Sequence, residues 1–320
     1  MRAFVLRRVL HSVVMLWGVI TITFALGHLV PGDITNVIHD PWLTPERIEA
    51  MRRRFGLDQP WWIQYGLYLR NVLLLDFGDS FMFQRPVFAV LRDGLFNTLW
   101  LQATALLISW GVAIPLGVWA ARRANTWADR SVAFGASLAL AVPEMVSGLL
   151  LIYFAARSGF FPVGGMRSPH WDTLPAGGQA LDLVWHVALP ALVLAFAPLA
   201  VYLRQTRGNL LDVLRRDYVT TARAKGLDEQ AVAFKHALPN ALNPLISLFG
   251  FSLAALISGS FIVEILFSWP GVGRTTFEAL VFQDQYLVMG GVLMVSAMLV
   301  LGNLVADLLL AVVDPRIVHD

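Results

Sequence analysis

The chain of 320 residues contains no cysteine and only two lysines, Lys225 and Lys235. Without cysteine, neither a disulfide nor a cysteine-ligated metal site can form. The lysines precede Gly226 and His236, so no G-x-x-x-x-G-K-[ST] loop exists and the chain does not bind ATP by that route. H-E-x-x-H and G-x-S-x-G are also missing, and the seven histidines show no metal-ligand spacing. These absences disfavour an enzyme.

Charge is scarce as well. Charged residues make up 14 % of the chain, whereas soluble domains have about 25 %. Hydrophobic residues make up 57 %, and the mean hydropathy is +0.63, which predicts an integral membrane protein. The net charge of +2 does not indicate nucleic-acid binding, because the basic residues are scattered between apolar runs and form no stripe.

Six apolar runs are long enough to cross a hydrocarbon core of roughly 30 Å, which takes about 20 helical residues. The predicted fold is therefore an all-α integral membrane protein with six transmembrane helices. The first run follows Arg2, Arg7 and Arg8, as in a signal peptide, but it exceeds the roughly 7 to 15 apolar residues of such a segment. The predicted spans lie near residues 9–30, 97–121, 131–156, 182–203, 241–263 and 287–313.

The distribution of arginine and lysine predicts the orientation. With the N- and C-termini in the cytoplasm, the two short external loops contain only Arg157, Arg167 and Arg274, as the positive-inside rule requires. Seven further arginines lie in segment 31–96, which is long enough to be translocated largely regardless of charge. The predicted division is a cytoplasmic N-terminus with the first span (1–30), an external loop with short helices (31–96) and a five-span core (97–320).

The long external loop has signals of its own. Thr44 as N-cap, Pro45 at the first helical position and Gly56 near the end predict a short surface helix. The following stretch, WWIQYGLYLRNVLLLDFGDS, suits a helix at the membrane interface. Two shorter external loops, 157–181 and 264–286, contain the proline and glycine of ordered turns.

Ionisable residues inside apolar runs are costly in lipid and usually face a cavity or a partner. Glu144 follows Pro143 near the middle of the third run, while His186 and Asp307 lie near the ends of the fourth and sixth runs. Two interpretations of Glu144 stay open: it faces a transport pathway, or it pairs with another helix or subunit. Among the prolines within the runs, four predict kinked spans; these four are Pro115, Pro143, Pro190 and Pro198.

The largest predicted cytoplasmic loop, 204–240, contains DYVTTARAKGL. Helix-forming residues continue to Lys225, and Gly226 can adopt the positive φ that reverses the chain. Asp228 and Glu229 then favour the start of a second helix. The pattern predicts a helix, a glycine corner and a helix, which present a docking surface for a partner. Small side chains there would permit close approach; they are Thr221, Ala222 and Ala224.

This loop resembles the cytoplasmic loop of permease subunits of bacterial ABC importers, whose pattern is E-A-A, three residues, G, nine residues, I-x-L-P. Gly226, Leu238 and Pro239 stand at the required spacing, whereas the first two positions and the isoleucine position differ. The peptide branch of the family carries DYV-x-TARAKGL. Its matches are Asp217, Tyr218, Val219, Thr221, Ala222, Arg223, Ala224, Lys225, Gly226 and Leu227.

Further matches are spread over the chain, which is therefore similar to a permease of the dipeptide or oligopeptide type, a binding-protein-dependent transport system inner membrane component. They are LVPGD (29–33), FGLDQP (55–60), IPLGV (114–118), HVALPAL (186–192), PGVGR (270–274) and DPRI (314–317).

The resemblance implies a transport subunit of the bacterial inner membrane and no enzyme. ATP and magnesium would bind in two partner ABC ATPases, not in this chain, and loop 217–240 would hold the coupling helix that they move. A second homologous permease would supply the other half of a pathway that works by alternating access. A solute-binding protein facing segments 31–96 and 264–286 would deliver the peptide. Nickel and glutathione importers belong to the same branch, and an ATP-independent secondary transporter is the alternative class.

Three groups of site residues follow from the resemblance and from the intramembrane carboxylate. The ATPase-coupling set is Asp217, Tyr218, Thr221, Ala222, Arg223, Ala224, Lys225, Gly226, Leu227, Leu238 and Pro239; the external gate is Pro270, Gly271, Gly273 and Arg274; the pathway residue is Glu144.

Overall fold

The computed structural model describes residues 2–29, 59–258 and 261–313. The predicted helix with Thr44, Pro45 and Gly56 and the closing DPRI motif lie outside these residues.

Apart from two strands of two residues each, the regular elements are helical, which confirms the all-α prediction. The elements are α1 (Arg2–Leu29), α2 (Trp61–Leu73), β1 (Asp79–Ser80), β2 (Arg85–Pro86), α3 (Val87–Arg122), α4 (Trp127–Ala141), α5 (Glu144–Ser158), a 3-10 turn (Trp171–Thr173), α6 (Ala176–Leu214), α7 (Asp217–Ala224), α8 (Glu229–Ala231), a π-helical segment (Val232–Ala237), α9 (Leu238–Ser258), α10 (Phe261–Leu266), α11 (Val272–Val281) and α12 (Gln285–Val313).

Four helices in the described part of the chain, α1, α3, α6 and α12, are long and apolar enough to cross a membrane. The pair α4 and α5 makes a fifth candidate if the two count as one broken span. Most of the predicted fifth span forms α9, which ends at Ser258. A membrane protein with several spans is thus confirmed, whereas the count of six stays a prediction.

The third predicted span, 131–156, is not one continuous helix. α4 ends at Ala141, and α5 starts at Glu144 with its axis turned by 101°. Pro143 has no N–H to donate, and its ring clashes with the carbonyl of the fourth preceding residue in a helix. The helix therefore ends before Pro143. Glu144 therefore lies at a sharp bend and not in the middle of a straight span.

The long helices α3 and α6 pack against each other and form the centre of the fold. At their crossing, a Cβ on Gly117 would lie 2.8 Å from Thr206 Cβ and 2.9 Å from the Leu203 carbonyl oxygen, so the close approach requires glycine. One apolar cluster joins the first half of α6 to α10, through residues such as Val187, Val193, Val263, Phe267 and Trp269. A second cluster joins the last turns of α3 and α6 to α7, through Val118, Ala121, Leu210, Val219 and Ala222.

Helices α1 and α12 run antiparallel. Arg8 near the start of α1 forms an ion pair of 3.2 Å with Asp307 near the end of α12. At the other end, Gln285 Nε2 donates to the Gly27 carbonyl at 2.8 Å. The start of α1 and the end of α12 therefore lie at the same end of the helix pair, which is the relation predicted for the two termini.

The structure describes the segment between α1 and α3 from residue 59 onward. The predicted interfacial helix starts at Trp61 and ends at Leu73, and α3 starts at Val87, ten residues before the predicted span. The hairpin β1–β2 is held by Asp284, whose carboxylate accepts from Ser80 Oγ at 2.6 Å and from the Met82 N–H at 3.1 Å. This end of α3 is thus tied to the start of α12.

Candidate functional site

The loop singled out by the sequence, residues 217–240, forms what is called here the Gly226 corner. α7 covers Asp217–Ala224, Gly226 has φ +78°, and the Asp228 side chain accepts from the Ala231 N–H at 2.8 Å as the N-cap of the next helix. The predicted helix, glycine corner and helix are confirmed as geometry. One feature was not predicted: α6 ends at Leu214, so Arg215 and Arg216 separate it from α7.

One face of α7 is fixed to the rest of the chain, and the other is exposed. Val219 and Ala222 are buried against Val118 and Ala121 of α3 and against Leu210 of α6. Ala222, predicted as part of the accessible docking surface, is thus a packing residue. The remaining predicted residues of the stretch are exposed: Asp217, Tyr218, Thr221, Arg223, Ala224, Lys225, Gly226 and Leu227.

Arg223 joins the two arms of the corner. Its Nε donates to Glu229 Oε1 at 2.7 Å, and an Nη donates to the Leu214 carbonyl at 3.3 Å. Leu238 is partly buried beside the same apolar cluster, while Pro239 is exposed. The corner therefore has a fixed inner side, a polar link across its arms and an exposed outer side.

The predicted external gate surrounds a carboxylate that the sequence did not identify. Residues 261–274 together with Thr98 form what is called here the Glu264 turn. Glu264 is fully buried, and its carboxylate accepts from Thr98 Oγ1 at 2.7 Å and from the Arg274 N–H at 3.1 Å. Thr98 Oγ1 in turn accepts from the Val272 N–H at 3.0 Å. The carboxyl group lies at the N-terminus of α11, where the helix dipole favours a negative charge.

The glycines of PGVGR allow the turn to close around this carboxylate. A Cβ on Gly271 would lie 2.3 Å from Glu264 Cδ, and one on Gly273 would lie 2.9 Å from Glu264 Oε2. The Pro270 carbonyl accepts from Asn97 Nδ2 at 2.8 Å. All four predicted gate residues are thus brought together, and the turn is bound to α3 through Asn97 and Thr98.

Arg274 is also engaged within this turn. Its Nε donates to Glu278 Oε1 at 2.6 Å, and an Nη donates to the Ser268 carbonyl. Trp269, which is fully buried, donates from Nε1 to the Asn97 carbonyl at 2.9 Å. The signal for this site was a single carboxylate in the apolar run FIVEILF, but its partner Thr98 lies 166 residues away.

Glu144 lies beside the Glu264 turn and far from the Gly226 corner. It is exposed at the bend between α4 and α5. One turn later, a Cβ on Gly148 would lie 3.0 Å from Leu266 Cδ1, so α5 packs on α10. Helix α3 joins the Glu264 turn to the Gly226 corner. Thr98, which contacts the turn, and Val118, which contacts the corner, are twenty residues apart, or roughly 30 Å of helix.

A second buried carboxylate was missed by the sequence analysis. Asp129 is 2 % exposed and accepts from Arg207 through two hydrogen bonds of 2.5 and 2.7 Å, and from the Asn125 N–H at 2.9 Å. Bidentate pairs of this kind are strong and directional. Since Arg207 lies one turn before Leu210, the pair fixes the start of α4 on α6 beside the Gly226 corner. The described residues contain no group of three His, Asp or Glu side chains that could hold a metal.

Comparison with known proteins covers the whole chain. Residues 113–319 match the family described as binding-protein-dependent transport system inner membrane component, and residues 1–102 match the N-terminal part of such components. The oligopeptide transport system permease protein AppB of Bacillus subtilis is 39 % identical over 320 residues, covering 99 % of both chains. The dipeptide transport system permease protein DppB of Escherichia coli K12 is 34 % identical, covering 100 % of this chain and 99 % of its own. The glutathione transport system permease protein GsiC of Salmonella paratyphi A is 35 % identical, covering 98 % of both.

Proposed function

Because the chain belongs to the family of binding-protein-dependent transport system inner membrane components, we propose that it forms half of the translocation pathway of an ATP-driven importer of di- and oligopeptides. It is a multi-pass inner-membrane permease subunit and not the ATPase of the system. The observation that carries the peptide assignment is the similarity, over nearly the full length of both chains, to permeases named for oligopeptides and dipeptides.

The Gly226 corner is the proposed contact with one of two partner ABC ATPases, which bind ATP and magnesium. Its exposed face offers Tyr218, Lys225 and Leu227 to a partner. Its buried face, Val219 and Ala222, is packed on α3 and α6. A displacement of α7 by the ATPases is therefore passed directly to both central helices, because close-packed interiors transmit strain.

The Glu264 turn, at the opposite end of α3, is the part of the chain that we propose moves in response to the ATPases. Its hydrogen bonds to Asn97 and Thr98 make it move with the start of that helix. Segments 31–96 and 264–286 are the proposed docking surface for the solute-binding protein, and a second homologous permease supplies the other wall of the pathway. Alternation between inward-open and outward-open states then requires only rigid movement of the paired helices α3 and α6.

The decisive experiment is gentle purification of the chain from its native membrane. We expect a second permease and two ATPases to come with it, and we expect ATP hydrolysis to rise when the peptide-loaded binding protein is added. After reconstitution in vesicles, labelled peptide should accumulate only with ATP. Accumulation by the isolated chain without ATP would replace the proposal by a secondary transporter.

Glutathione is a second candidate substrate, favoured by the 35 % identity to GsiC. The same vesicles distinguish the two. Labelled dipeptide should accumulate with ATP and labelled glutathione should not; accumulation of labelled glutathione without accumulation of labelled dipeptide would assign the chain to glutathione.

A further inference from the structure

The bend between α4 and α5 leaves backbone carbonyls without helical partners. Pro143 has no N–H to offer the Ala139 carbonyl, and the N–H groups of Val146 and Ser147 donate to the Pro143 carbonyl instead. Within the described residues 59–258, no backbone N–H of α5 donates to the carbonyls of residues 139–142. The end of α4 therefore presents free acceptors and the negative pole of its dipole.

Glu144 adds a carboxyl group at the same place. Its side chain is exposed, as are those of Met145 and Val146. In the described part of the chain, its carboxylate makes no ion pair and no side-chain hydrogen bond. Free carbonyls and a carboxylate within an apolar run are not stable against lipid. This surface therefore faces water or another polar group.

The complementary ligand is a cation that donates several hydrogen bonds. A primary ammonium has three donors, and ends of broken membrane helices bind cations in other transporters through unwound carbonyls. We propose that the α4–α5 bend is a subsite of the pathway that receives the α-ammonium group of a peptide, through the Glu144 carboxylate and the carbonyls of residues 139–142. This inference rests on the proposed function, because it takes the substrate to be a peptide.

The absence of cysteine permits a direct test. Met145→Cys places a single thiol beside Glu144, which stays intact, and Phe134→Cys places one on an exposed site of α4 as a control. In the purified complex, each thiol is treated with water-soluble methanethiosulfonates that carry either a trimethylammonium or a sulfonate group. With Met145→Cys, we expect the cationic reagent to react about tenfold faster than the anionic one, because the local field concentrates cations. Adding Glu144→Gln should bring the ratio close to one, and Phe134→Cys should show no charge preference.

Protection by substrate identifies the ammonium group. Dialanine at millimolar concentration, without binding protein, should slow the labelling of Met145→Cys, and Glu144→Gln should abolish that protection. Lactoyl-alanine, with a hydroxyl in place of the ammonium, should not protect. Protection by an N-acetylated lysyl peptide alone would overturn the α-ammonium assignment in favour of a side-chain ammonium.

Two other outcomes would also overturn the proposal. No reaction with either reagent would place the bend in lipid or against the second permease, and a charge ratio unchanged by Glu144→Gln would exclude its carboxylate. ATP-dependent uptake by the unaltered complex is measured separately. Failure of uptake would reject the proposed function, while failure of labelling alone would reject only the subsite.

Discussion

The Gly226 corner and the Glu264 turn both depend on glycine, for opposite reasons. Gly226 has φ +78°, and a Cβ there would meet nothing within 4 Å. Gly271 has an ordinary φ of −96°, but its Cβ would lie 2.3 Å from Glu264 Cδ. The first glycine permits a backbone conformation, and the second leaves space for a neighbour. The Gly226 corner has free space around it, which suits a surface that binds a partner. The Glu264 turn is tightly packed, which suits a part of the chain that does not deform.

The polar contacts of the two regions differ in the same way. Arg223 and Glu229 have side chains 39 % and 66 % exposed, and exposed pairs contribute about 0 to 1 kcal/mol. Glu264 is fully buried, so loss of one of its donors costs about 1 to 3 kcal/mol. Substitutions should therefore lower stability strongly at the turn and weakly at the corner.

Gly271→Ala should have the largest effect on stability. Its methyl group occupies the position of the Glu264 carboxylate, and overpacking of this kind costs up to about 3 kcal/mol. We expect a clear fall in the melting temperature of the purified complex. The melting temperature is measured by size-exclusion chromatography of samples that have been heated. The matched control is Gly208→Ala in α6, where a Cβ meets nothing within 4 Å. Equal melting temperatures for the two variants would refute the crowding argument.

Thr98→Val should come next. It preserves the shape of the side chain but leaves Glu264 and the Val272 N–H without their shared hydroxyl, at a cost of about 2 kcal/mol. Thr98→Ser keeps the hydroxyl and should stay close to wild type in the same melting assay. A Val variant as stable as the Ser variant would show that the hydroxyl does not hold the turn.

Gly226→Val should cost about 1 to 2 kcal/mol, because a β-branched residue tolerates positive φ poorly. The chain should still insert, since this site is open. We expect peptide uptake to fall while ATP hydrolysis continues, because the surface proposed to contact the ATPase is misplaced. Gly226→Asn, which tolerates this conformation better, should retain most uptake. Normal uptake by the valine variant would remove the corner from the mechanism.

Glu229→Gln should have the smallest effect. It breaks the exposed pair with Arg223, so we expect a change below about 1 kcal/mol that disappears at high salt. Melting temperatures at low and high ionic strength check this. A large effect that persists in high salt would mean that the two regions do not differ as described.

Local signals predicted the Gly226 corner well. Gly226, Asp228 and Glu229 lie close together in sequence, and the positive φ and the N-cap depend only on neighbouring residues. The docking surface was less well predicted, because the burial of Ala222 depends on α3 and α6. Sequence periodicity alone did not show which face of so short a helix packs inward.

Long-range contacts explain what the sequence could not show. Glu264 finds its hydroxyl donor 166 residues earlier, and Asp129 finds Arg207 78 residues later. The sequence predicted a kink equally at Pro115, Pro143, Pro190 and Pro198, yet of these four prolines only Pro143 lies where a helix ends. Pro115 and Pro190 lie in α3 and α6, whose mutual packing keeps those helices continuous.

The pairing of α1 with α12 has a consequence for biosynthesis. Arg8 and Gly27 belong to α1, and their contacts Asp307 and Gln285 belong to α12, more than 250 residues later in the chain. During synthesis α1 must therefore reside in the bilayer without this neighbour until α12 has also been made. The contact between the two helices forms only at that stage, and a nascent chain truncated before α12 should leave α1 open to quality-control proteases.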